Sequence, residues 1–236
     1  MLPFSVRTIQ DGPRRLVLRE RQGMVQLIAG NVILLSSSAL ETERAFGRLA
    51  AEWPGRTAVR APRVLVGGLG FGATVRGVLD VVDAQSHVVV VEKVGAVERL
   101  VRGELSEIAG RPLSSERVRV VVGDVADAIA EAGAKGGAFH LLDAILIDVD
   151  NGPHWVSARE NSRLYTRAGV AAAARALAPG GLFAVWSGYP ADGFMATLRS
   201  AGLIPGRVLL RERGRVRARA YGGVKPATGH RERRDD

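Results

Sequence analysis

The chain has 236 residues, of which 47% are hydrophobic and 24% charged, a balance that is ordinary for a soluble globular protein. It contains no cysteine, which excludes disulfides, thiolate catalysis and cysteine-based zinc sites. The formal net charge is +9. No stretch approaches the roughly 18 uninterrupted apolar residues of a membrane helix, and the N-terminus lacks the pattern of a signal peptide. We therefore expect a cytoplasmic protein without a membrane partner.

The first predicted elements are short strands. Residues 15–36 contain three apolar segments separated by Gln-Gly and Gly-Asn, which predicts a small antiparallel meander. Residues 39–53 carry apolar side chains at helical spacing, and Pro54 with Gly55 ends this helix. These elements predict a small N-terminal β-element and helix over residues 1–55.

From residue 63 onward, strands and helices alternate. The predicted strands are RVLVG, HVVVVE, RVRVVVGD, DAILID and GLFAVWSG. The helical segments between them are GATVRGVLDVV, VGAVERLVRGEL, VADAIAEAG and a helix from Tyr165 to Leu177. Nearly continuous apolar strands that alternate with helices predict an α/β fold, a Rossmann-like parallel sheet covered on both faces, over residues 56–224.

The C-terminal part carries most of the positive charge. Residues 207–223 alternate Arg with small or apolar residues, which predicts an edge strand with one wet face, and 225–236 is predicted to be a disordered basic tail. The charge raises nucleic-acid binding as a hypothesis. We do not favour it, because the excess is almost entirely Arg in an Ala-, Gly- and Val-rich chain, as GC-rich coding also produces, and no interleaved aromatic residues or recognition motif accompany it.

Ligands of open parallel sheets bind outside the carboxyl ends of the strands. The first strand of this sheet ends in GGLGFGAT (67–74), whose Gly68, Gly70 and Gly72 allow a tight turn and a close approach of a ligand to the backbone. The spacing is not GxGxxG, and no lysine follows as in a P-loop. A purely structural turn is the alternative.

The next two strands also end in carboxylates. Glu92 can accept two hydrogen bonds from a ribose diol, and the alternative is a solvated charge paired with Lys93. Asp124 can accept from an adenine amino group, and the alternative is an N-cap of the helix 125–132. A glycine loop and two acids on three consecutive strand ends predict a nucleoside pocket.

The fourth strand ends in Asp148, Asp150 and Asn151. A metal site is disfavoured, because His154 is the only histidine close in sequence. Asp-Asn-Gly-Pro is typical of a turn. A carboxylate at the end of a buried strand can also orient and deprotonate an attacking amine, and we predict such a role for Asp148 and Asp150.

Several motifs resemble, in the same order, the spermidine synthase (polyamine aminopropyltransferase) family and its short bacterial branch. They are VLVGGLGFGATVRGVLD, VVVVEKVGAVERL, VVVGDVADAI, AILIDVDNGP and LYTRAGVAAAARALAPGGLFAVWS, and the resemblance covers roughly residues 15–205. It implies a class I AdoMet-methyltransferase-like fold, decarboxylated S-adenosylmethionine as co-substrate, a small-molecule amine acceptor and a homodimer. No metal is implied.

The resemblance also implies roles for individual residues. Asp148 matches the acid that deprotonates the amine, Asp150 lies in the same motif, and Tyr165 falls where the family usually has Phe-Tyr. The matches to the nucleoside site are Gly68, Gly70 and Gly72 for the glycine loop, Glu92 for the ribose, Asp124 with Val125 for the adenine, and, more loosely, Gln26 for a cofactor-facing Gln.

Three departures from the family pattern concern the chemistry. Phe71 stands where the glycine loop of the family carries an Asp that grips the aminopropyl amine, Trp186 replaces a frequent Gln, and the DSSDPxGP motif is shortened. A buried ammonium needs a paired carboxylate, so Phe71 also fits S-adenosylmethionine as the donor. An AdoMet-dependent methyltransferase and a non-catalytic nucleoside-binding or scaffold homologue are therefore the alternatives to an aminopropyl-type transferase.

Overall fold

The computed structural model describes residues 4–57, 59–134, 141–154 and 159–227. The strands are β1 (Phe4–Asp11), β2 (Arg14–Arg21), β3 (Met24–Ala29), β4 (Val32–Ser36), β5 (Arg63–Gly67), β6 (His87–Glu92), β7 (Val118–Val122), β8 (Leu142–Ile147), β9 (Leu177–Ser187), β10 (Ile204–Glu212) and β11 (Arg215–Val224). The α-helices are α1 (Leu40–Glu52), α2 (Ala73–Leu79), α3 (Gly95–Arg102), α4 (Val125–Ala132), α5 (Arg167–Ala176) and α6 (Phe194–Ser200). Short 3₁₀ helices span Ser106–Ala109, Pro112–Ser114 and Arg159–Tyr165.

The N-terminal strands form an antiparallel meander in the order β1-β2-β3-β4. The prediction of three segments over 15–36 misses β1, which pairs along its whole length with β2. Glycines with positive φ occupy the turns of the meander, at Gly12, Gly23 and Gly30. Leu16 and Leu27 are fully buried and belong to the same apolar core as residues of α1 and of the main sheet, so the meander and the larger sheet share one core.

The main sheet has the strand order β10-β11-β9-β8-β5-β6-β7. Strands β5 to β9 run parallel, and the hairpin β10-β11 is added antiparallel to β9. The chain passes from β5 outward to β6 and β7 and then returns to β8 on the other side of β5. The topological switch point therefore lies between β5 and β8, where open α/β sheets bind their ligands.

Helices α1 and α2 approach each other unusually closely. A Cβ atom on Gly47 would lie 2.0 Å from the carbonyl oxygen of Thr74, and one on Gly77 would lie 2.0 Å from that of Arg44. Only glycine leaves room for such backbone contact between two helices. This contact fixes the first turn of α1 beside the start of α2, next to the end of β5.

Two predicted elements are corrected by the structure. The segment 207–223 is not one edge strand but a hairpin that turns at Arg213 and Gly214. Its second strand, β11, is an interior strand because it pairs with β10 on one side and with β9 on the other. The helix predicted from Tyr165 begins only at Arg167, since the Thr166 hydroxyl caps it by accepting the Gly169 N–H at 3.1 Å.

The predicted tail 225–236 is described only as far as Ala227. Lys225 is ordered, because its backbone N–H donates to Gly181 at 2.8 Å and its carbonyl accepts from Gly180 at 2.9 Å. The rest of the predicted disorder, residues 228–236, lies outside the described residues. Within the described ranges, no helix has the length and apolar character needed to cross a membrane. The domain boundary at residue 55 stays a prediction.

Candidate functional site

A cleft with a volume of about 530 Å³ lies at the carboxyl ends of the parallel strands, a size typical of small-molecule sites. Its floor is formed by residues that follow β5 to β9, and its roof by residues of β3, β4 and the start of α1. The lining residues that the sequence predicts as site residues are Gln26, Gly68, Gly70, Glu92, Asp124, Val125, Asp148 and Asp150. The structure thus brings most of the predicted site into one place.

The glycine loop is required partly by packing and partly by backbone conformation. Gly68, Gly70 and Gly72 have φ of 89°, 54° and 89°, a region that disfavours other residues. A Cβ on Gly68 would lie 2.1 Å from the carbonyl oxygen of Asp148, and one on Gly72 would lie 2.4 Å from Pro112. A Cβ on Gly70 would meet no atom within 4 Å, and Gly70 lines the cleft, so its backbone is accessible to a ligand. Gly72 is not among the lining residues.

Glu92 is buried at the end of β6, with 8% of its surface exposed. Its Oε2 accepts the Leu69 N–H at 2.9 Å and its Oε1 accepts the Val94 N–H at 2.8 Å. Burial raises the pKa of this carboxyl, and the backbone hydrogen bonds partly oppose the rise. The alternative of a solvated charge paired with Lys93 is wrong, because Lys93 pairs with other carboxylates. Each oxygen keeps a lone pair that a hydroxyl can use.

The structure confirms the N-cap alternative for Asp124, and its contact with adenine stays a prediction. It is the N-cap of α4, since its Oδ1 accepts the Ala126 N–H at 2.9 Å, and it also lines the cleft. Arg163 and Lys93 lie 2.9 and 3.3 Å from its oxygens. Burial alone would raise the pKa of Asp124, but these hydrogen bonds outweigh it and lower the pKa below its usual value.

Asp148 follows β8 directly and is held from two sides. Its backbone N–H donates to the Gly67 carbonyl at 2.8 Å, and its Oδ2 accepts a hydrogen bond from the Thr74 hydroxyl at 2.6 Å. Burial raises the pKa of the Asp148 carboxyl to about 6, although the Thr74 hydrogen bond lowers it in part. A carboxylate with such a pKa is ionised near neutral pH and is still basic enough to take up a proton.

Asp150 and Tyr165 form a second polar contact. Asp150 is 9% exposed and lines the cleft, and its Oδ2 accepts a hydrogen bond from the Tyr165 hydroxyl at 3.1 Å. The Tyr165 ring packs edge-on against Phe194 and does not reach the cleft wall. Burial and the neighbouring Asp150 raise the pKa of Tyr165 far above its usual value, so it stays protonated. The structure thus places Tyr165 behind Asp150 and not among the residues that line the cleft, and its catalytic role stays a prediction.

Sequence reasoning missed Glu43, in the first turn of α1. Its side chain is half-buried and lines the same cleft as Asp148. Burial raises the pKa of Glu43 well above its usual value, and the charge of Asp148 raises it further. Acids are common in first helical turns, so the sequence does not distinguish Glu43 from its exposed neighbour Glu41.

The remaining walls of the cleft are apolar or aromatic. Phe71 is 1% exposed, and Trp186 is 8% exposed with an Nε1 that has no hydrogen-bond partner among the described residues. Gln26 is buried on the roof, where it accepts from Arg19. In the described part of the chain, no group of three or more His, Asp or Glu side chains is arranged to hold a metal ion.

By sequence, the chain is similar to polyamine aminopropyltransferases, and by fold it is similar both to spermidine synthases and to a methyltransferase. No family model matches the chain. Polyamine aminopropyltransferases of Mycobacterium tuberculosis and Mycobacterium bovis are 34% identical over 148 residues, which cover 60% of this chain and 27% of each relative. The chain thus spans about a quarter of the length of the curated relatives that it matches.

Solved structures with the same fold include two spermidine synthases and a methyltransferase. A spermidine synthase in complex with the transition state analogue AdoDATO has a TM-score of 0.66 at 17% identity, covering 93% of this chain and 72% of that one. A probable spermidine synthase from Corynebacterium glutamicum has a TM-score of 0.63 at 20% identity, covering 93% and 80%. Human methyltransferase-like protein 13 in complex with SAH has a TM-score of 0.56 at 21% identity, covering 84% and 83%. The class I fold and the similarity to spermidine synthases are both confirmed.

Proposed function

From the similarity of this chain to spermidine synthases, we propose that it is a transferase that binds an S-adenosylmethionine-type nucleoside and transfers an alkyl, aminopropyl-type group to an amine acceptor. The observation that carries the proposal is the convergence of Gly70, Glu92, Asp124 and Asp148 on one cleft at the switch point of the sheet. Three of these residues offer what a nucleoside needs, and the fourth offers a base for the acceptor. The cytoplasmic location and the homodimer stay predictions.

The nucleoside half of the cleft follows β5, β6 and β7. Glu92 is preorganised by two backbone N–H groups, and its free lone pairs accept the two hydroxyls of a ribose. Asp124 is oriented by its capping bond and by Arg163, and it accepts from an exocyclic amine. The open space above Gly70 leaves the backbone accessible to the ligand. The donor, decarboxylated S-adenosylmethionine or S-adenosylmethionine, brings an activated sulfonium carbon.

The acceptor half follows β8. A primary amine in water is protonated at neutral pH, since its pKa resembles that of Lys, about 10.4. Asp148 takes up this proton or orients the amine toward the sulfonium carbon, and Thr74 keeps the carboxylate in place. Because the leaving thioether is already activated, most of the rate enhancement comes from positioning the two reactants.

Methyl transfer from S-adenosylmethionine is a second candidate, and Phe71 is the observation that favours it. The ring is fully buried against the cleft and offers no charge for an aminopropyl ammonium. The fold does not separate the two reactions, because it is shared by a methyltransferase.

Calorimetric titration with three nucleosides tests the proposed function and separates the two candidates. We expect methylthioadenosine and decarboxylated S-adenosylmethionine to bind with micromolar Kd, and S-adenosylmethionine to bind at least tenfold more weakly. Tight binding of S-adenosylmethionine alone would contradict aminopropyl transfer and support methyl transfer. Binding of none of the three at tens of micromolar would leave the non-catalytic homologue.

A further inference from the structure

The close contact between α1 and α2 places two carboxyl groups on one cleft. The Thr74 hydroxyl lies 2.6 Å from Oδ2 of Asp148 and 3.2 Å from the backbone carbonyl oxygen of Glu43, so it bridges the two residues. The Glu43 side chain faces the cleft that Asp148 also lines. The absence of a side chain at Gly47 and Gly77 is what lets the helices come this close.

Neither carboxyl group has a cationic partner among the described residues. Arg44, next in sequence to Glu43, pairs with Asp80, and Lys93 pairs with Asp124 and Glu160. The other charged side chains that line the cleft are Arg14, Glu92, Lys93, Asp124, Asp150 and Glu160. Two desolvated acids without a counterion favour a shared proton, and the raised pKa of both groups agrees with this.

Trp186 gives an independent sign that the cleft holds a ligand. It is more than nine-tenths buried, it lines the same cleft, and its Nε1 has no hydrogen-bond partner in the described part of the chain. An indole N–H only donates, and a buried donor without an acceptor is costly. An occupant of this cleft therefore carries an acceptor atom for Trp186 as well as a group that satisfies the two acids.

We propose that Glu43 and Asp148 together form the subsite for one primary ammonium group of the substrate, and that Glu43 is the residue that makes the cleft specific for a cationic amine. Phe71, on the same cleft, is apolar and does not supply this charge. The inference rests on the proposed transferase function and assigns its amine specificity to α1. An ammonium ion offers three donors, enough to bridge two carboxylates, and it replaces the shared proton.

The test is calorimetry of 1,4-diaminobutane binding to protein saturated with methylthioadenosine. In the wild-type protein we expect the diamine to bind, butan-1-ol not to bind, and up to about one proton to be released per amine, measured in buffers of different ionisation enthalpy. Glu43→Gln is expected to weaken the diamine at least tenfold and to abolish proton release. Its affinity for methylthioadenosine should stay within twofold, which also shows that the variant is folded.

Two variants make the comparison specific. Glu41→Gln lies on the same helical turn but is exposed, and it should behave like the wild-type protein. Glu43→Asp keeps the charge and should recover part of the diamine affinity. The inference would be overturned if wild type and Glu43→Gln bound the diamine with equal affinity and released equal numbers of protons. It would also be overturned if the wild-type protein bound the nucleoside but not the diamine. Both outcomes would leave the transferase proposal standing. Failure of methylthioadenosine itself to bind would overturn both the inference and the transferase proposal.

Discussion

The hydroxyl of Thr74 lies 2.6 Å from Oδ2 of Asp148, so the start of α2 holds the carboxylate that follows β8. This short contact joins the two strand ends that flank the topological switch point. It fixes the orientation of Asp148, and it also lowers a pKa that burial raises. A residue outside the predicted site thus tunes the group on which the proposed chemistry depends.

Thr74→Val should shift the pH dependence of transfer upward. Loss of the hydrogen bond raises the pKa of Asp148 above about 6, and because the base must be deprotonated, the acidic limb of kcat/KM moves to higher pH. We expect a shift of about 0.5 to 1 pH unit, corresponding to a hydrogen bond of about 1 kcal/mol. The exposed Thr8→Val is the matched control. An unchanged limb would show that Asp148 does not control it.

Asp148→Asn should stabilise the protein while it removes activity. The pKa of Asp148 is raised on folding from 3.8 to about 6, so its contribution is most favourable below pH 3.8 and is lost as pH rises through about 6. At pH 7 the neutral amide avoids this cost, and we expect the free energy of unfolding to increase by roughly 1–3 kcal/mol. Urea unfolding at pH 4 and pH 7 measures it. A stability gain that is equal at both pH values would contradict the assignment.

Glu92→Gln should weaken nucleoside binding. The amide cannot accept both the Leu69 and the Val94 N–H groups with its two ends, and it offers weaker acceptance to a ribose hydroxyl. We expect the Kd for methylthioadenosine to rise at least tenfold, corresponding to about 1.4 kcal/mol or more. The exposed Glu116→Gln is the control in the same titration. Unchanged affinity would show that Glu92 does not bind the ribose.

Gly77→Ala should disturb the first turn of α1. A Cβ at this position would lie 2.0 Å from the carbonyl oxygen of Arg44, so the helices must separate. We expect a loss of about 2–4 kcal/mol in the free energy of unfolding, from overpacking and displaced neighbours. Gly193→Ala meets no atom within 4 Å and should be nearly neutral. Equal melting temperatures for the two variants would show that the close contact does not matter.

The sequence predicts the floor of the site better than its roof. Glu92, Asp124 and Asp148 follow apolar runs, and parallel strands bring their carboxyl ends to one edge, so local pattern suffices to group them. Glu43 was not predictable in this way. Its place depends on the distance between two helices, which Gly47 and Gly77 determine through a contact that no periodicity reveals.

The hairpin β10-β11 and the first strand, β1, show a second limit of prediction from the sequence. The arginine-rich segment 207–223 alternates like an edge strand, yet its second half is an interior strand, because β11 pairs with β9 as well as with β10. Strand β1 alternates weakly and is recognisable only through its pairing with β2. In both places tertiary pairing, not local propensity, decides the outcome.

The most direct measurement of the central claim is product formation from decarboxylated S-adenosylmethionine and 1,4-diaminobutane, followed by mass spectrometry. We predict that methylthioadenosine and the aminopropylated amine form together in equal amounts with the wild-type protein, and that Asp148→Asn reduces the rate at least 100-fold, within the range of general-base contributions. Absence of both products, or S-adenosylhomocysteine with a methylated amine when S-adenosylmethionine is supplied instead, would contradict it.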